Sequence, residues 1–366
     1  MKIHGCHRRS IEADPKRGQI HIIDQTSLPH LIEMRTLHSV DDIAEAIRTM
    51  RVRGAPLIGV AAAFGVALAV ADNSSDTEIE KTVALLGATR PTAVNLSWAL
   101  KRMRARLLPL PFQARAAAAW DEAQRIADED VAMNEAIGRH GLALIQAHHA
   151  RAQRSVNILT HCNAGWIATV DWGTALAPIY MAHDAGIPVH VWVDETRPRN
   201  QGLLTAWELG QQGVPHTLIT DNAGGHYMQR GQVDLVLVGA DRVSRHGDVC
   251  NKIGTYLKAL AAWDNQVPFY AAVPGPTIDW NIEHAIDEIP IEERSADEVR
   301  IVAGVNDKGH GKRVFIAARQ APIGNPAFDV TPARLVSGII TERGIAPANE
   351  AGLLALFPER KRENCA

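Results

Sequence analysis

The pattern of apolar and polar positions changes character near residue 155. Upstream of it, apolar residues recur at helical spacing, whereas downstream short continuous apolar runs alternate with helix-like segments. Five of these runs predict β-strands, at residues 156–160, 189–193, 217–219, 235–238 and 269–273. Near-continuous apolar strands separated by helices are typical of a parallel sheet covered on both faces. We therefore expect an α/β fold in the second half of the chain.

The first half of the chain is predicted to be mostly helical. Apolar periodicity and helix start signals favour helices at residues 39–50, 55–71, 96–107 and 114–149. Short apolar runs near residues 20–29 predict a small antiparallel sheet before them. The segment 55–71 carries no charge and is slightly short for a membrane span, and we expect it to lie buried inside the protein.

Polar residues stand where the predicted strands end. The residues in question are Cys162, Asp194 and Glu195, Asp221 and Asn222, and Asp241 and Arg242. Ligands of open α/β sheets bind beyond the carboxyl ends of the strands, which places these side chains at one edge. The chain has neither a G-x-G-x-x-G dinucleotide motif nor a G-x-x-x-x-G-K-[ST] phosphate loop. A small phosphorylated substrate therefore fits better than a nucleotide.

Cys162 follows the first of these strands. A helix is predicted to open at Ala164 and Gly165, so that its unpaired N–H groups form an anion site beside the thiol. A helix N-terminus also favours the thiolate and tunes its reactivity. The alternative is that Cys162 is a small buried apolar residue, as most cysteines are.

Asp241 closes an apolar strand, which predicts a partly apolar environment. Such a carboxyl has a raised pKa and can serve as a general acid. The alternatives for Asp241 are a salt bridge to Arg242 or a helix cap. Asn251 and Lys252 are predicted to open the next helix and to hold hydroxyls or phosphate, although Lys252 could also be an exposed helix residue.

Two arginines precede helices of the first half. Arg53 stands before Gly54, Ala55 and the apolar helix, and arginine beside a glycine loop at a helix N-terminus is a good phosphate site. Arg90 stands in a similar loop. Solvated surface arginines are the alternative in both places. A last helix is predicted from the cap residue Thr331 onward.

Composition narrows the class of protein. The chain has 366 residues, 46% hydrophobic residues and a net charge of −3, without a basic patch for nucleic acid. Its four cysteines form no C-x-x-C pair, which argues against zinc and disulfides and suits a reducing cytoplasm. The N-terminal segment lacks the apolar core of a secretory signal.

Several motifs together resemble one family, over nearly the whole chain and in order. The motifs are RGAPLIG at 53–59, RPTAVNL at 90–96, THCNAG at 160–165, ETRPRNQG at 195–202, GADR at 239–242, NKIGTY at 251–256 and NPAFDVTP at 325–332. They are similar to the methylthioribose-1-phosphate isomerases. The broader family includes ribose-1,5-bisphosphate isomerases and regulatory subunits of the translation initiation exchange factor.

The resemblance implies a domain plan and an oligomeric state. An N-terminal helical domain with a small antiparallel sheet is expected at 1–130, and a Rossmann-like catalytic domain at 131–366. A homodimer is expected, with neither nucleic acid nor membrane as a partner.

The resemblance also implies the site residues and the reaction. Cys162 and Asp241 correspond to the catalytic pair, and the substrate contacts fall on Arg53, Gly54, Ala55, Arg90, Gln201, Asn251 and Lys252. The implied activity is conversion of 5-methylthioribose 1-phosphate to the ketose 1-phosphate in methionine salvage, without cofactor or metal because the reaction is redox-neutral. The same chemistry on 5-deoxyribose 1-phosphate or ribose 1,5-bisphosphate is an alternative, and a non-enzymatic sugar-phosphate-binding regulatory subunit is another.

Two segments depart from the family pattern. Residues 273–279 are atypical, and residues 307–323 look rearranged. We expect these loops to line the part of the site that meets the substituent at C5 of the sugar.

Overall fold

A computed structural model describes residues 1–361. Its helices are α1 (Val40–Arg48), α2 (Ala55–Asp72), α3 (Asp76–Gly87), α4 (Val94–Leu107), α5 (Phe112–Ala152), α6 (Ala177–Asp184), α7 (Gln201–Gln211), α8 (Ala223–Gln229), α9 (Thr255–Asp264), α10 (Ala285–Glu288), α11 (Asp297–Arg300) and α12 (Glu350–Leu356). Its strands are β1 (Lys2–Ile3), β2 (Cys6–His7), β3 (Ile11–Asp14), β4 (Gln19–Ile23), β5 (Met34–Leu37), β6 (Val156–Thr160), β7 (Val189–Asp194), β8 (His216–Ile219), β9 (Leu235–Val238), β10 (Arg242–Ser244), β11 (Val249–Lys252), β12 (Phe269–Ala272), β13 (Ile278–Asp279), β14 (Ile301–Val305), β15 (Gly311–Phe315), β16 (Phe328–Thr331), β17 (Gly338–Thr341) and β18 (Gly344–Ala346).

The predicted parallel sheet is present and has seven strands. Its order is β18-β17-β12-β9-β6-β7-β8, and every pair is parallel except β17 with β18. The five predicted strands are β6, β7, β8, β9 and β12, which confirms an α/β fold. All four residues of β9 are buried, as a strand covered on both faces requires.

The first 152 residues form a helical layer with a small sheet. β3, β4 and β5 form a three-stranded antiparallel sheet, and α1 to α5 pack together around α2. Ser39 caps α1 through a reciprocal bond pair with Asp42. Within the described residues, α2 alone has the length and apolar composition of a membrane span, and 78% of that window is buried inside the protein.

Several local predictions were wrong. No helix opens at Ala164, because residues 163–173 form a loop with one 3-10 turn at Trp166–Ala168, and the next helix is α6. The peptide Leu28-Pro29 lies outside the strands that the structure describes, and β5 instead completes the small sheet.

The structure also moves two predicted helix starts onto strands. Asn251 and Lys252 end β11, and α9 begins only at Thr255. The stretch predicted to start a last helix is β16, which pairs with β11 and is followed by a short 3-10 turn. The two errors share a cause, since the antiparallel partners that define β11 and β16 lie far apart in sequence.

The predicted division at residue 130 stays a prediction. α5 runs without interruption from Phe112 to Ala152, so that residue 130 lies inside one continuous helix. The upstream part of α5 packs on α2, and the downstream part packs on α6 and β17. α5 therefore connects the helical layer to the sheet.

We expect Gly141→Ala to destabilise this connection. A Cβ at Gly141 would lie 2.4 Å from Cγ of Pro178 in α6, and overpacking of this kind costs about 1–3 kcal/mol. Urea denaturation followed by circular dichroism measures the change in the free energy of unfolding. Gly210→Ala is the matched control, because a Cβ at Gly210 would meet nothing closer than 3.8 Å. This substitution should stabilise α7 by about 0.5–1 kcal/mol. Equal stability of the two variants would contradict the close α5–α6 contact.

Candidate active site

One cavity of about 80 Å³ lies where the helical layer meets the carboxyl edge of the seven-stranded sheet. All nine residues predicted as the catalytic pair and the substrate contacts line it, which are Arg53, Gly54, Ala55, Arg90, Cys162, Gln201, Asp241, Asn251 and Lys252. The other polar residues at the predicted strand ends, which are Asp194, Glu195, Asp221, Asn222 and Arg242, do not line it. The structure thus brings together residues from both halves of the chain. Their individual roles stay predictions.

Cys162 occupies a strained position in the loop after β6. Its φ is +68°, a left-handed conformation that is rare outside glycine and clusters at functional sites. The backbone N–H of Cys162 donates a hydrogen bond to the hydroxyl of Thr196 at 2.8 Å, and the backbone carbonyl of Cys162 accepts one from the hydroxyl of Thr205 at 2.8 Å. These two hydroxyls hold the backbone that carries the thiol.

The thiol of Cys162 is held mainly in its neutral form. Burial raises its pKa, while the nearby cations Lys252 and Arg53 oppose this effect and the carboxyl of Asp241 adds to it. A neutral thiol beside two cations can lose its proton to a strong base or pass it on, but it is not a preformed thiolate.

Asp241 lies between β9 and β10, directly before the first residue of β10. Its N–H donates to the carbonyl of Cys250 at 2.9 Å. Burial raises the pKa of its carboxyl, and Lys252, Arg90 and Arg53 partly oppose this. The sequence prediction of a raised pKa is therefore confirmed in direction.

The salt bridge that was the alternative for Asp241 is not formed. Arg242 instead lies 3.3 Å from Asp279 and donates to the carbonyl of Thr92. The carboxyl of Asp241 consequently remains available to the cavity.

The N-terminus of α2 supplies an anion site that lines the same cavity. Gly54 precedes the helix with φ of +105°, and a Cβ there would lie 2.3 Å from the carbonyl oxygen of Ala168. Only glycine allows α2 to begin so close to the loop that follows Cys162. Unpaired N–H groups at this helix start favour a phosphate group.

Two further cations, Lys252 and Arg90, line the same cavity. Lys252 lies with Nζ 4.5 Å from the centre of the Phe328 ring, because β11 and β16 place the two residues opposite each other. Burial lowers the pKa of Lys252, and Cys162 and Asp241 oppose that shift. Arg90 lies 3.5 Å from Glu292.

Two amides reach the cavity as well. Gln201, the first residue of α7, is buried, and its Oε1 has no hydrogen-bond partner among residues 1–361. Asn251 donates from Nδ2 to Thr255 at 3.1 Å. A free buried amide oxygen is suited to accept a hydroxyl of a sugar.

His161 was not singled out from the sequence, although it lies in the same motif as Cys162. Its two ring nitrogens lie 2.9 Å from Asp194 and 2.8 Å from the carbonyl of Ile253. With Asp221 it forms a group that could hold a metal ion. Lys258, however, already places a cation 3.2 Å from Asp194 and donates to the Asp221 carbonyl. A lysine therefore fills the role that an ion would have.

A larger groove of about 1000 Å³ adjoins the cavity. The two share Met50, Arg53 and Gln201. The hairpin β14–β15 lines the groove with residues up to Arg313, within the atypical segment 307–323. Among the described residues, that segment therefore lines the groove and not the cavity, and residues 273–279 line neither.

The fold and this cavity define an α/β protein with a site for a small phosphorylated ligand, flanked by a thiol and a carboxyl. Residues 51–348 match the initiation factor 2 subunit family. Proteins named methylthioribose-1-phosphate isomerase from Gluconobacter oxydans and Acidiphilium cryptum are 61% and 62% identical, and the matches cover 99% and 100% of this chain and 100% of both relatives. The chain therefore belongs to the initiation factor 2 subunit family and, within it, to the methylthioribose-1-phosphate isomerases.

Solved structures support the same family assignment. The 5-methylthioribose 1-phosphate isomerase of Pyrococcus horikoshii is 40% identical with a TM-score of 0.83, covering 96% of both chains. A structure described as the delta subunit of translation initiation factor eIF-2B from A. fulgidus is 37% identical with a TM-score of 0.78, covering 96% of this chain and 100% of the other.

The raised pKa of Cys162 predicts how fast the thiol reacts with iodoacetamide. Alkylation should accelerate as the pH rises, because the thiolate is the reacting form. Lys252→Met removes a cation that favours the thiolate and should slow alkylation at pH 8 about tenfold for each further pKa unit. Mass spectrometry of the Cys162 peptide measures the rate. Lys101→Met on the exposed side of α4 is the control, and an equal or faster rate in Lys252→Met would contradict the electrostatic coupling.

Proposed function

We propose that the protein is an aldose-1-phosphate isomerase that converts 5-methylthioribose 1-phosphate to 5-methylthioribulose 1-phosphate. The observation that supports this most directly is the single cavity that holds the Cys162 thiol, the Asp241 carboxyl and three cations. The names of the bacterial relatives, over the full length of the chain, point to the same reaction.

The substrate of such an enzyme is a furanose with a phosphate on its anomeric carbon. This phosphate blocks the spontaneous ring opening of free sugars, so an acid must assist the departure of the ring oxygen from C1. The N-terminus of α2 with Arg53 and Lys252 holds the phosphate, which fixes the position of C1 and C2 without taking part in bond changes.

Asp241 acts as the acid in this proposal. Burial raises the pKa of its carboxyl, which favours the protonated form that a general acid requires. The proton passes to the ring oxygen as the bond to C1 breaks. The hydrogen on C2 then moves to C1, and the hydroxyl on C2 gives its proton to the Asp241 carboxylate to become the ketone, which restores the acid.

Cys162 moves the hydrogen between C2 and C1 in this proposal. Its thiol first loses its proton to water, and the thiolate then takes the C2 proton as a base and returns it to C1. A direct hydride shift is the alternative, in which Cys162 and Asp241 only polarise the oxygens. Reaction in deuterated water distinguishes the two routes, because exchange at C1 accompanies proton transfer and not a hydride shift.

The cavity supports a neutral substituent at C5. Met50, Ile58 and Phe328 contribute its larger apolar side chains, and Met50 also lies at the opening to the groove. A methylthio or methyl group fits such a surface. A second phosphate would lose hydration there, which disfavours ribose 1,5-bisphosphate.

A regulatory sugar-phosphate-binding protein is the second candidate. The similarity to an archaeal protein described as an initiation factor subunit favours it. A binding protein has no need of a thiol and a carboxyl of raised pKa facing one ligand, so the isomerase is the better proposal.

Further parts of the proposal concern the cell. The isomerase would act in methionine salvage, in the cytoplasm, as a homodimer, with an N-terminal domain at 1–130 and a catalytic domain at 131–366. The absence of a C-x-x-C pair and the scattered cysteines support a reducing compartment. Sedimentation analysis tests the dimer.

Cys162→Ser and Asp241→Asn should each lower kcat by about 10²–10⁴, because each removes one partner of the acid–base pair. Formation of ketose from 5-methylthioribose 1-phosphate measures kcat. Cys6→Ser serves as the control, since Cys6 is exposed and lies in β2. Near-full turnover by a folded Cys162→Ser or Asp241→Asn variant would overturn the assignment.

The substrate preference follows from the apolar wall of the cavity. We expect the kcat/KM values for 5-methylthioribose 1-phosphate and 5-deoxyribose 1-phosphate to differ by no more than the factor that corresponds to about 1–3 kcal/mol of activation free energy, since the two substrates differ by one thioether group. Ribose 1,5-bisphosphate should be the poorest of the three. A higher kcat/KM for the bisphosphate would show that cations reach C5, and turnover of none of them would favour the regulatory candidate.

A further inference from the structure

A buried carboxyl on α7 lies behind the phosphate-binding wall of the cavity. Glu208 is fully buried. Its Oε1 accepts from Nδ2 of Asn163 at 2.6 Å, and its Oε2 accepts from the N–H of Trp166 at 2.7 Å and from the hydroxyl of Tyr180 at 3.0 Å. Burial raises its pKa to about 7. Glu208 does not line the cavity that the described residues form, and the mechanism above makes no use of it.

Asn163 connects this carboxyl to Arg53. Its Nδ2 faces Glu208, and its Oδ1 accepts from Nη2 of Arg53. Rotation of the amide by half a turn would place its NH₂ group against a guanidinium and its oxygen against a carboxyl. The amide therefore has one permitted orientation, and Glu208 determines it.

Arg53 is held on two sides as a consequence. Its Nε donates to Oε1 of Gln25 at 2.9 Å, and Gln25 in turn donates to the carbonyl of Ile167 at 2.7 Å. Nη1 and Nη2 donate to the carbonyl and the side chain of Asn163. Three of the roughly five N–H donors of a guanidinium are thus committed within residues 1–361, which leaves two for a ligand.

The surroundings of Glu208 are built to keep it in place. A Cβ at Gly165 would lie 2.0 Å from its Oε2, so that only glycine fits there. Thr205, one turn earlier on α7, accepts from Asn163 at 3.1 Å and donates to the carbonyl of Cys162. One face of α7 therefore supports the whole loop that carries the thiol.

We propose that Glu208 is a positioning residue that orients Arg53 for the phosphate group through the side-chain amide of Asn163. The proposal rests on the function given above, and it adds a residue that touches neither phosphate nor sugar. Its effect is exerted on binding, because the phosphate is held alike in the ground state and in the transition state.

The test exchanges the polar groups of Glu208 and Asn163. Glu208→Gln leaves a donor facing either Trp166 or Asn163, and Asn163→Asp places two carboxyls against each other. Each single variant should raise KM for 5-methylthioribose 1-phosphate about tenfold to 10²-fold, with a smaller change in kcat. The Ki of inorganic phosphate as a competitive inhibitor should rise by the same factor.

The double variant Asn163→Asp with Glu208→Gln restores complementary groups at the contacts to Trp166, Tyr180 and Arg53, and loses only the bond from Asn163 to Thr205. We expect it to recover at least about tenfold of the KM and Ki lost in the single variants, a non-additive result that a general loss of packing cannot produce. If a single variant fails to fold, the KM and Ki of the folded double variant are compared with those of the wild type and of Arg53→Ala, and this comparison tests the proposal.

Glu122→Gln is the matched control. Glu122 is also a buried carboxyl, but its partners Arg102 and Arg125 lie on α4 and α5. Unchanged KM and Ki in Glu208→Gln, or a double variant that binds phosphate no better than Arg53→Ala, would overturn the proposal. Calorimetric titration with inorganic phosphate gives the same comparison without turnover, so failure of the isomerase assignment is recognised separately by an inactive wild type.

Discussion

The contact between Gly54 and Ala168 is the constraint on which the site depends. No side chain fits at Gly54, where a Cβ would lie 2.3 Å from a carbonyl oxygen. Because α2 begins at this point, the unpaired N–H groups of the helix lie directly against the loop after β6. The helical layer thereby supplies cations and an anion site, and the sheet supplies the thiol and the carboxyl. Either half alone would present an incomplete wall.

Burial and charge act against each other inside the cavity. Desolvation favours the neutral forms of Cys162, Asp241 and Lys252, while Lys252 favours the charged forms of Cys162 and Asp241, and these two favour the charged form of Lys252. An acid that keeps its proton near neutral pH requires this balance, since a carboxyl in water would already be ionised. A phosphate entering the cavity adds negative charge and so favours the protonated carboxyl further. Binding and acid catalysis are coupled through the same electrostatic field.

The loop after β6 carries a prediction that held although its structural reason was wrong, namely that Cys162 lies beside an anion site. The predicted helix at Ala164 is absent, yet Cys162 does lie beside an anion site. That site belongs to α2, more than a hundred residues earlier in the chain. The thiol is instead fixed by a left-handed backbone between the hydroxyls of Thr196 and Thr205. A positive φ at a cysteine leaves no trace in composition or periodicity, and only the folded contacts reveal it.

The sequence by itself determined the strands of the large sheet and the chemistry at their ends. Short continuous apolar runs between helices are typical of strands that are buried on both faces, and neighbouring parallel strands end at a common edge of the sheet. The motifs also identified nine of the residues that line the cavity. The tertiary structure alone decided that β11 and β16 pair where helices were expected, and that Gln25 and Asn163 hold Arg53 through contacts between distant parts of the chain. The physical reason is that apolar periodicity reports which side of an element is buried, whereas the partner of a buried polar group is chosen by the packing of elements that are remote in sequence.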